Sequence, residues 1–159
     1  MAQVGRPHHT GITVRSLEVS LHFYRDLLGF REIFSWNPQA PYIGELVGYP
    51  QVDLKSAILS MPDSDLSLEL LEYGNVDGQP IDSANGNPGT VHLAFFVDSV
   101  DELYAALKAK GIASMSAPVT PTIGPNKGGR AVYMVDPDGV RVEFIETTQS
   151  FAAYGEGAH

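Results

Sequence analysis

The chain states one pattern twice. His9-Thr10-Gly11-Ile12-Thr13-Val14 is echoed by His92-Leu93-Ala94-Phe95-Phe96-Val97, and Leu68-Glu69-Leu70-Leu71-Glu72 by Val142-Glu143-Phe144-Ile145-Glu146. Each half therefore runs from a strand led by a His to a strand carrying a Glu. Repetition of this kind means two copies of one supersecondary unit, so whatever topology one half adopts constrains the other. Two His and two Glu at matched places also form the donor set that a divalent metal in a cleft between two modules would require.

The first copy opens with a strand over His9–Val14. Ile12 and Val14 share one face, and His9, Gly11 and Thr13 the other, the alternation of a half-buried strand. Ser16 is placed to cap a helix over Leu17–Leu28, with Leu17, Leu21, Tyr24 and Leu28 as its apolar stripe and Gly29 as its stop. Strands follow over Arg31–Trp36, Lys55–Met61 and Leu66–Tyr73, separated by turn-rich text. Asn75 to Gly89, rich in Gly, Asn, Asp and Pro, reads as a linker.

The second copy repeats the order. Val91–Val97 is a strand, and Ser99-Val100-Asp101-Glu102 has the pattern of a capping box. The helix that follows reaches about Lys110, with Leu103, Ala106 and Leu107 inward and Gly111 as its stop. A Pro- and Gly-rich loop, Pro118 to Gly129, precedes strand Arg130–Val135. Asp136-Pro137-Asp138-Gly139 is a turn, and Val140–Glu146 is the last strand. The expectation is an α+β fold of two strand–helix–strand–strand–strand (βαβββ) modules, residues 7–74 and 89–147, with a polar tail over 148–159. Their sheets, packed edge to edge or across a dimer, would form a half-open, barrel-like cleft with helices outside.

Composition narrows the function. At 159 residues, 43% hydrophobic and 18% charged, the chain reads as one globular domain rather than a disordered segment. A formal charge of −9 without a Lys/Arg cluster argues against nucleic acid and against anionic membranes. An anionic substrate would need locally placed cations, for which Arg130 and Lys127 are the candidates. Without Cys there is no disulfide, thiol nucleophile or Cys-type zinc site. With no apolar leader and no span-length apolar run, the expected location is the cytoplasm.

A lone His at a strand start is more often a surface residue, and a lone Glu in an alternating strand is usually solvated. The conjunction changes that reading. On their strands Glu69 opposes Leu68 and Leu70, Glu143 opposes Val142 and Phe144, and each His opposes the more apolar face. A carboxylate sheltered there needs a partner. A cation shared with two imidazoles supplies it, and Zn, Ni, Co, Mn or Fe would suit the mixed N and O donors. His8 has the opposite parity to His9, His22 sits on the helix, and His159 in the tail; all three read as bystanders. Glu72 and Glu146 mirror each other at strand ends with the wrong parity and read as solvated.

These residues resemble the vicinal oxygen chelate superfamily, whose members include glyoxalase I, methylmalonyl-CoA epimerase, extradiol dioxygenases, and fosfomycin and bleomycin resistance proteins. The resemblance is carried by His9 to Val14, His22-Phe23-Tyr24-Arg25-Asp26-Leu27-Leu28-Gly29-Phe30, Leu68-Glu69-Leu70-Leu71, His92 on its strand, and Tyr133-Met134-Val135-Asp136-Pro137-Asp138-Gly139 leading to Glu143. It covers nearly all of the chain except the tail. It implies paired βαβββ modules and a divalent metal held by His9, Glu69, His92 and Glu143. A fourth ligand at Glu69 leans the reading towards a glyoxalase I-like isomerase or lyase. There a small substrate chelates the metal through two neighbouring oxygens, and Glu69 and Glu143 move a proton by way of an enediolate. The alternatives are an Fe(II)-dependent extradiol-type dioxygenase, with Tyr133 as acid or hydrogen-bond donor, and a thiol transferase or metal-free binding protein. No organic cofactor is implied, and a homodimer is expected because open strand edges call for partners.

Overall fold

The computed structural model describes residues 3–147. The chain divides into two compact units, one ending at Pro80 and the other beginning at Ile81. The tail over 148–159, with His159, lies outside the described residues.

The first unit contains β1 (His9–Thr13), α1 (Leu17–Leu21), β2 (Arg31–Trp36), α2 (Pro41–Val47), β3 (Leu54–Ser60) and β4 (Ser67–Tyr73). Its sheet has the order β1-β4-β3-β2, with β1 parallel to β4 and the other pairs antiparallel. Alternation decides which side is core. Ile12, Leu68, Leu70, Ala57 and Leu59 are all buried, while His9 and Thr13 are exposed on the other face. Each fully buried Leu contributes about 1.5–3 kcal/mol, so the register cannot slip without turning that whole set to water.

The helix expected over Leu17–Leu28 is two pieces. After α1 the backbone widens to a π-helix over His22–Leu27, which Leu28 closes with an N–H bond to the Phe23 carbonyl five residues back. The wider turn changes which side chains face inward. Ser20, Phe23 and Tyr24 are buried, whereas Leu17, Leu21 and Leu28 are only half-buried. The Phe23 and Tyr24 rings meet edge to face, with centroids 4.9 Å apart. Both rings lie on the core side of the π-turn.

The sequence reading did not anticipate α2. Its signal was present: Pro41 occupies the first turn, and Gly48 stops the helix in the left-handed region at φ 79°.

The second unit contains β5 (His92–Phe96), α3 (Val100–Ala109), β6 (Arg130–Val135) and β7 (Arg141–Glu146) in a sheet of order β5-β7-β6. Here β5 is parallel to β7, and β6 is antiparallel to it. The α+β class holds in both units, and neither sheet closes on itself. One element departs from the repeat. Among the described residues, two isolated bridges, Ser114 to Met134 and Val119 to Ala131, stand in place of a strand equivalent to β2. Pro118 and Pro121 flank the second bridge and have no N–H to extend it. On α3 the buried side chains are Val100 and Leu107; Ala106 is exposed, contrary to expectation. The turn at Asp136 closes as expected, its carboxylate accepting from the N–H groups of Asp138 and Val140.

Among the described residues no helix is long and apolar enough to cross a membrane.

Candidate metal centre

Each unit brings one His and one Glu together by the same register. In the first, Glu69 sits opposite Gly11, two residues after His9; in the second, Glu143 sits opposite Ala94, two residues after His92. Parallel pairing at that offset places His and Glu diagonally on one face. His9 Nε2 lies 3.2 Å from Glu69 Oε2, and His92 Nε2 lies 3.3 Å from Glu143 Oε2. The carboxylates are the more sheltered partners, 18% and 17% exposed against 38% and 49% for the imidazoles.

Bonds of ~2.0–2.2 Å at angles between octahedral and tetrahedral place neighbouring donor atoms ~2.9–3.5 Å apart. Both pairs have that spacing, through the same two atom types, so the donors of each unit fit one edge of a coordination polyhedron. Among the described residues no three or more His, Asp or Glu side chains form a cluster suited to a metal ion; what each unit provides is a pair.

The carboxylates are held differently. Ser56, a buried residue of β3, donates to Glu69 Oε1 at 2.8 Å and leaves Oε2 for His9. Nothing local in the sequence marks Ser56, because its contact depends on strand pairing. Tyr133 on β6 is the register partner of Glu143 and donates to its Oε2 at 3.0 Å. The same hydroxyl lies 3.5 Å from His92 Nε2, and the two rings meet nearly perpendicular. Burial first, and then the bond to Glu143, push the Tyr133 hydroxyl up to about 12, so at neutral pH it is a phenol with a proton to donate.

His8, read as a bystander, has its Nδ1 2.7 Å from His9 Nδ1. That contact engages one side of the His9 ring and turns Nε2 towards Glu69, the kind of outer contact that orients a ligand. His22 pairs with Asp26 on the helix, away from this constellation. Glu72 and Glu146 are not merely solvated. Glu72 accepts the Leu17 N–H at 2.7 Å and Glu146 the Val100 N–H at 3.0 Å, so each caps its unit's helix from the end of a strand.

The cations also differ from expectation. The Arg130 guanidinium is committed to Asp101 and Thr120, and Lys127 is exposed on a loop. The cations on the relevant faces are Arg6 and Arg141. Arg141 is the register partner of His92; it donates from Nη1 to the Gly139 carbonyl, while its Nε is buried without a hydrogen-bond partner.

The first unit carries a cleft of about 910 Å³ with His9 and Glu69 in its lining. Ile33, Phe34, Trp36 and Ile58 are apolar residues of that lining, and Arg6 and His8 belong to it as well.

Comparison with known proteins bears on the family and the fold. The family model described as Glyoxalase/Bleomycin resistance protein/Dioxygenase superfamily matches residues 6–144. A lactoylglutathione lyase of Haemophilus influenzae is 32% identical over 150 residues, covering 92% of this chain and 96% of that protein. A 2-epi-5-epi-valiolone epimerase from an Actinomyces species is 29% identical, covering 87% and 77%. A crystal structure of a glyoxalase family protein from Bacillus cereus shares the fold at a TM-score of 0.80 and 18% identity, covering 91% and 95%. With the family model spanning almost all of the described residues, this chain belongs to the Glyoxalase/Bleomycin resistance protein/Dioxygenase superfamily.

Proposed function

We propose that the chain is a divalent-metal-dependent lyase or isomerase of the glyoxalase I-like type, acting on a small substrate with two neighbouring oxygens. His9, Glu69, His92 and Glu143 would together hold one ion. The observation that carries this is the pair of His Nε2–Glu Oε2 contacts, at 3.2 and 3.3 Å, in equivalent register on both units. Names of relatives favour proton-transfer chemistry, since they include lactoylglutathione lyases and an epimerase.

The bound ion would supply Lewis-acid polarisation of the substrate's two oxygens. The chain's own residues do the rest. Glu69 and Glu143, one from each unit, take a proton from the carbon beside the carbonyl and return it, by way of an enediolate. Ser56 fixes Glu69 through one oxygen, so the other keeps its aim. Tyr133 fixes Glu143, and its phenol proton can follow charge as the carboxylate gains or loses a proton. We also infer a homodimer, because β1, β2 and β5 stand at the edges of their sheets, and open strand edges call for partners.

Proton exchange tests the chemistry. In deuterium oxide, metal-loaded protein is expected to exchange the carbon-bound proton of a 2-hydroxyketone or hemithioacetal without consuming oxygen. Oxygen uptake with a catechol, together with no exchange in any such substrate, overturns it.

A further inference from the structure

The cleft of the first unit extends well beyond what two chelating oxygens would fill, and its far side is built from one cross-strand row. Glu69 sits opposite Ile58, and Ile58 sits opposite Phe34. The next row runs from Leu71 through Ser56 to Trp36. Strands lie ~4.8 Å apart, so the Phe34 backbone is roughly 10 Å from that of Glu69, with Ile58 as the floor between.

A β-bulge builds the wall. The pairing of β2 with β3 shifts between Glu32 and Phe34. In a regular strand Ile33 and Phe34 would point to opposite faces; here both line the cleft and both stand about half exposed, at 48% and 49%. Trp36 joins them at 43% exposure, its ring centroid 6.2 Å from that of Phe34 at 69°. Large apolar side chains left open in a concave site mark a place where a ligand buries area. Among the described residues of the second unit there is no equivalent strand and no such wall. Arg6, on the same lining, supplies a positive charge for an anionic ligand.

We propose that this cleft selects an anionic substrate whose two neighbouring oxygens carry an aryl substituent. The oxygens lie at the His9–Glu69 end, the ring crosses Ile58 to meet Phe34 and Trp36, and Arg6 balances the negative charge. The inference rests on the metal-dependent reading above and names its substrate class.

Trp36 is the chain's single tryptophan, so its fluorescence reports on this wall alone. The probes are mandelate and lactate, 2-hydroxy acids that differ only in an aryl or a methyl group, titrated into metal-loaded protein by fluorescence and calorimetry. Metal content is measured on the same samples. Mandelate is expected to quench Trp36 and to bind about ten-fold or more tightly than lactate, a gap of one decade in affinity. Phe34→Ala should remove most of that preference with metal content unchanged, Phe34→Leu should retain part of it, and Arg6→Gln should weaken both acids alike. Equal affinities with full metal occupancy, or a preference that survives Phe34→Ala, overturns the proposal while leaving the metal reading intact. Protein that takes up no metal overturns the function proposed above instead.

Discussion

The Leu17 N–H donates to the Glu72 carboxylate across 2.7 Å, tying the start of α1 to the end of β4, 55 residues away. Val100 and Glu146 repeat the tie in the second unit at 3.0 Å. In each case the carboxylate lies three residues beyond the Glu that faces a His, on the opposite side of the strand. One strand thus serves two ends: its cleft face carries a candidate ligand, and its helix face caps the helix.

Removing the tie should cost stability without touching the metal pair. Glu72→Ala loses bonds to Leu17 and Lys55 and should destabilise the fold by about 1–2 kcal/mol, read by urea denaturation, with metal content unchanged. The Leu17 N–H first, and then the Lys55 ammonium, hold the Glu72 carboxyl below its ordinary range. A depressed carboxylate stabilises the fold above its unfolded pKa and loses that contribution as pH falls through its folded value. The gap between wild type and Glu72→Gln should therefore be full at neutral pH and close on the acid side.

Much of this architecture was legible in the alternation of single strands. The bounds of β2 and β6 follow from the turn-rich text that flanks them, and the opposition of Glu69 to Leu68 and Leu70 from period-two patterning; both are local properties. The repeat singled out the two His and two Glu, but their diagonal placement within each unit comes from strand register. What was missed depends on partners distant in sequence or on hydrogen-bond register. Ser56 meets Glu69 only after β3 pairs with β4, and the caps at Glu72 and Glu146 each reach 46 residues or more along the chain. The π-turn cannot be read from side-chain spacing, because His22–Leu27 has the apolar content of an ordinary helix. The absent fourth strand of the second unit did have a signal in Pro118 and Pro121, outweighed by the symmetry of the repeat.

Tyr133→Phe separates holding a carboxylate from binding an ion. The variant keeps the ring against His92 and loses the hydroxyl, with its bond to Glu143 and its longer contact to His92 Nε2. A hydrogen bond to a charged group contributes about 1.5–3 kcal/mol, so turnover should fall roughly 10- to 150-fold, with metal content within error of wild type. Unchanged turnover in steady-state kinetics would remove Tyr133 from the mechanism.

Gly44 in α2 tests the tight return into β3. A Cβ there would lie 2.7 Å from the Tyr49 carbonyl oxygen and 2.8 Å from backbone atoms of Pro50. Backbone cannot yield as a side chain does, so Gly44→Ala should cost about 1–3 kcal/mol in spite of the better helix propensity of Ala. Thermal denaturation showing equal or greater stability contradicts this packing.

Assembly is open to sedimentation. Edge strands in both sheets predict a homodimer at micromolar concentration, and a monomer there contradicts the inferred assembly.

Metal content after purification without chelators tests most directly the proposal that His9, Glu69, His92 and Glu143 hold one ion. Wild-type protein should hold one divalent ion for each set of His9, Glu69, His92 and Glu143. Glu69→Ala, in the first unit, and His92→Ala, in the second, should each lose most of it while circular dichroism stays native. Full occupancy in both folded variants, or a wild type that takes up no divalent ion on reconstitution, contradicts the account.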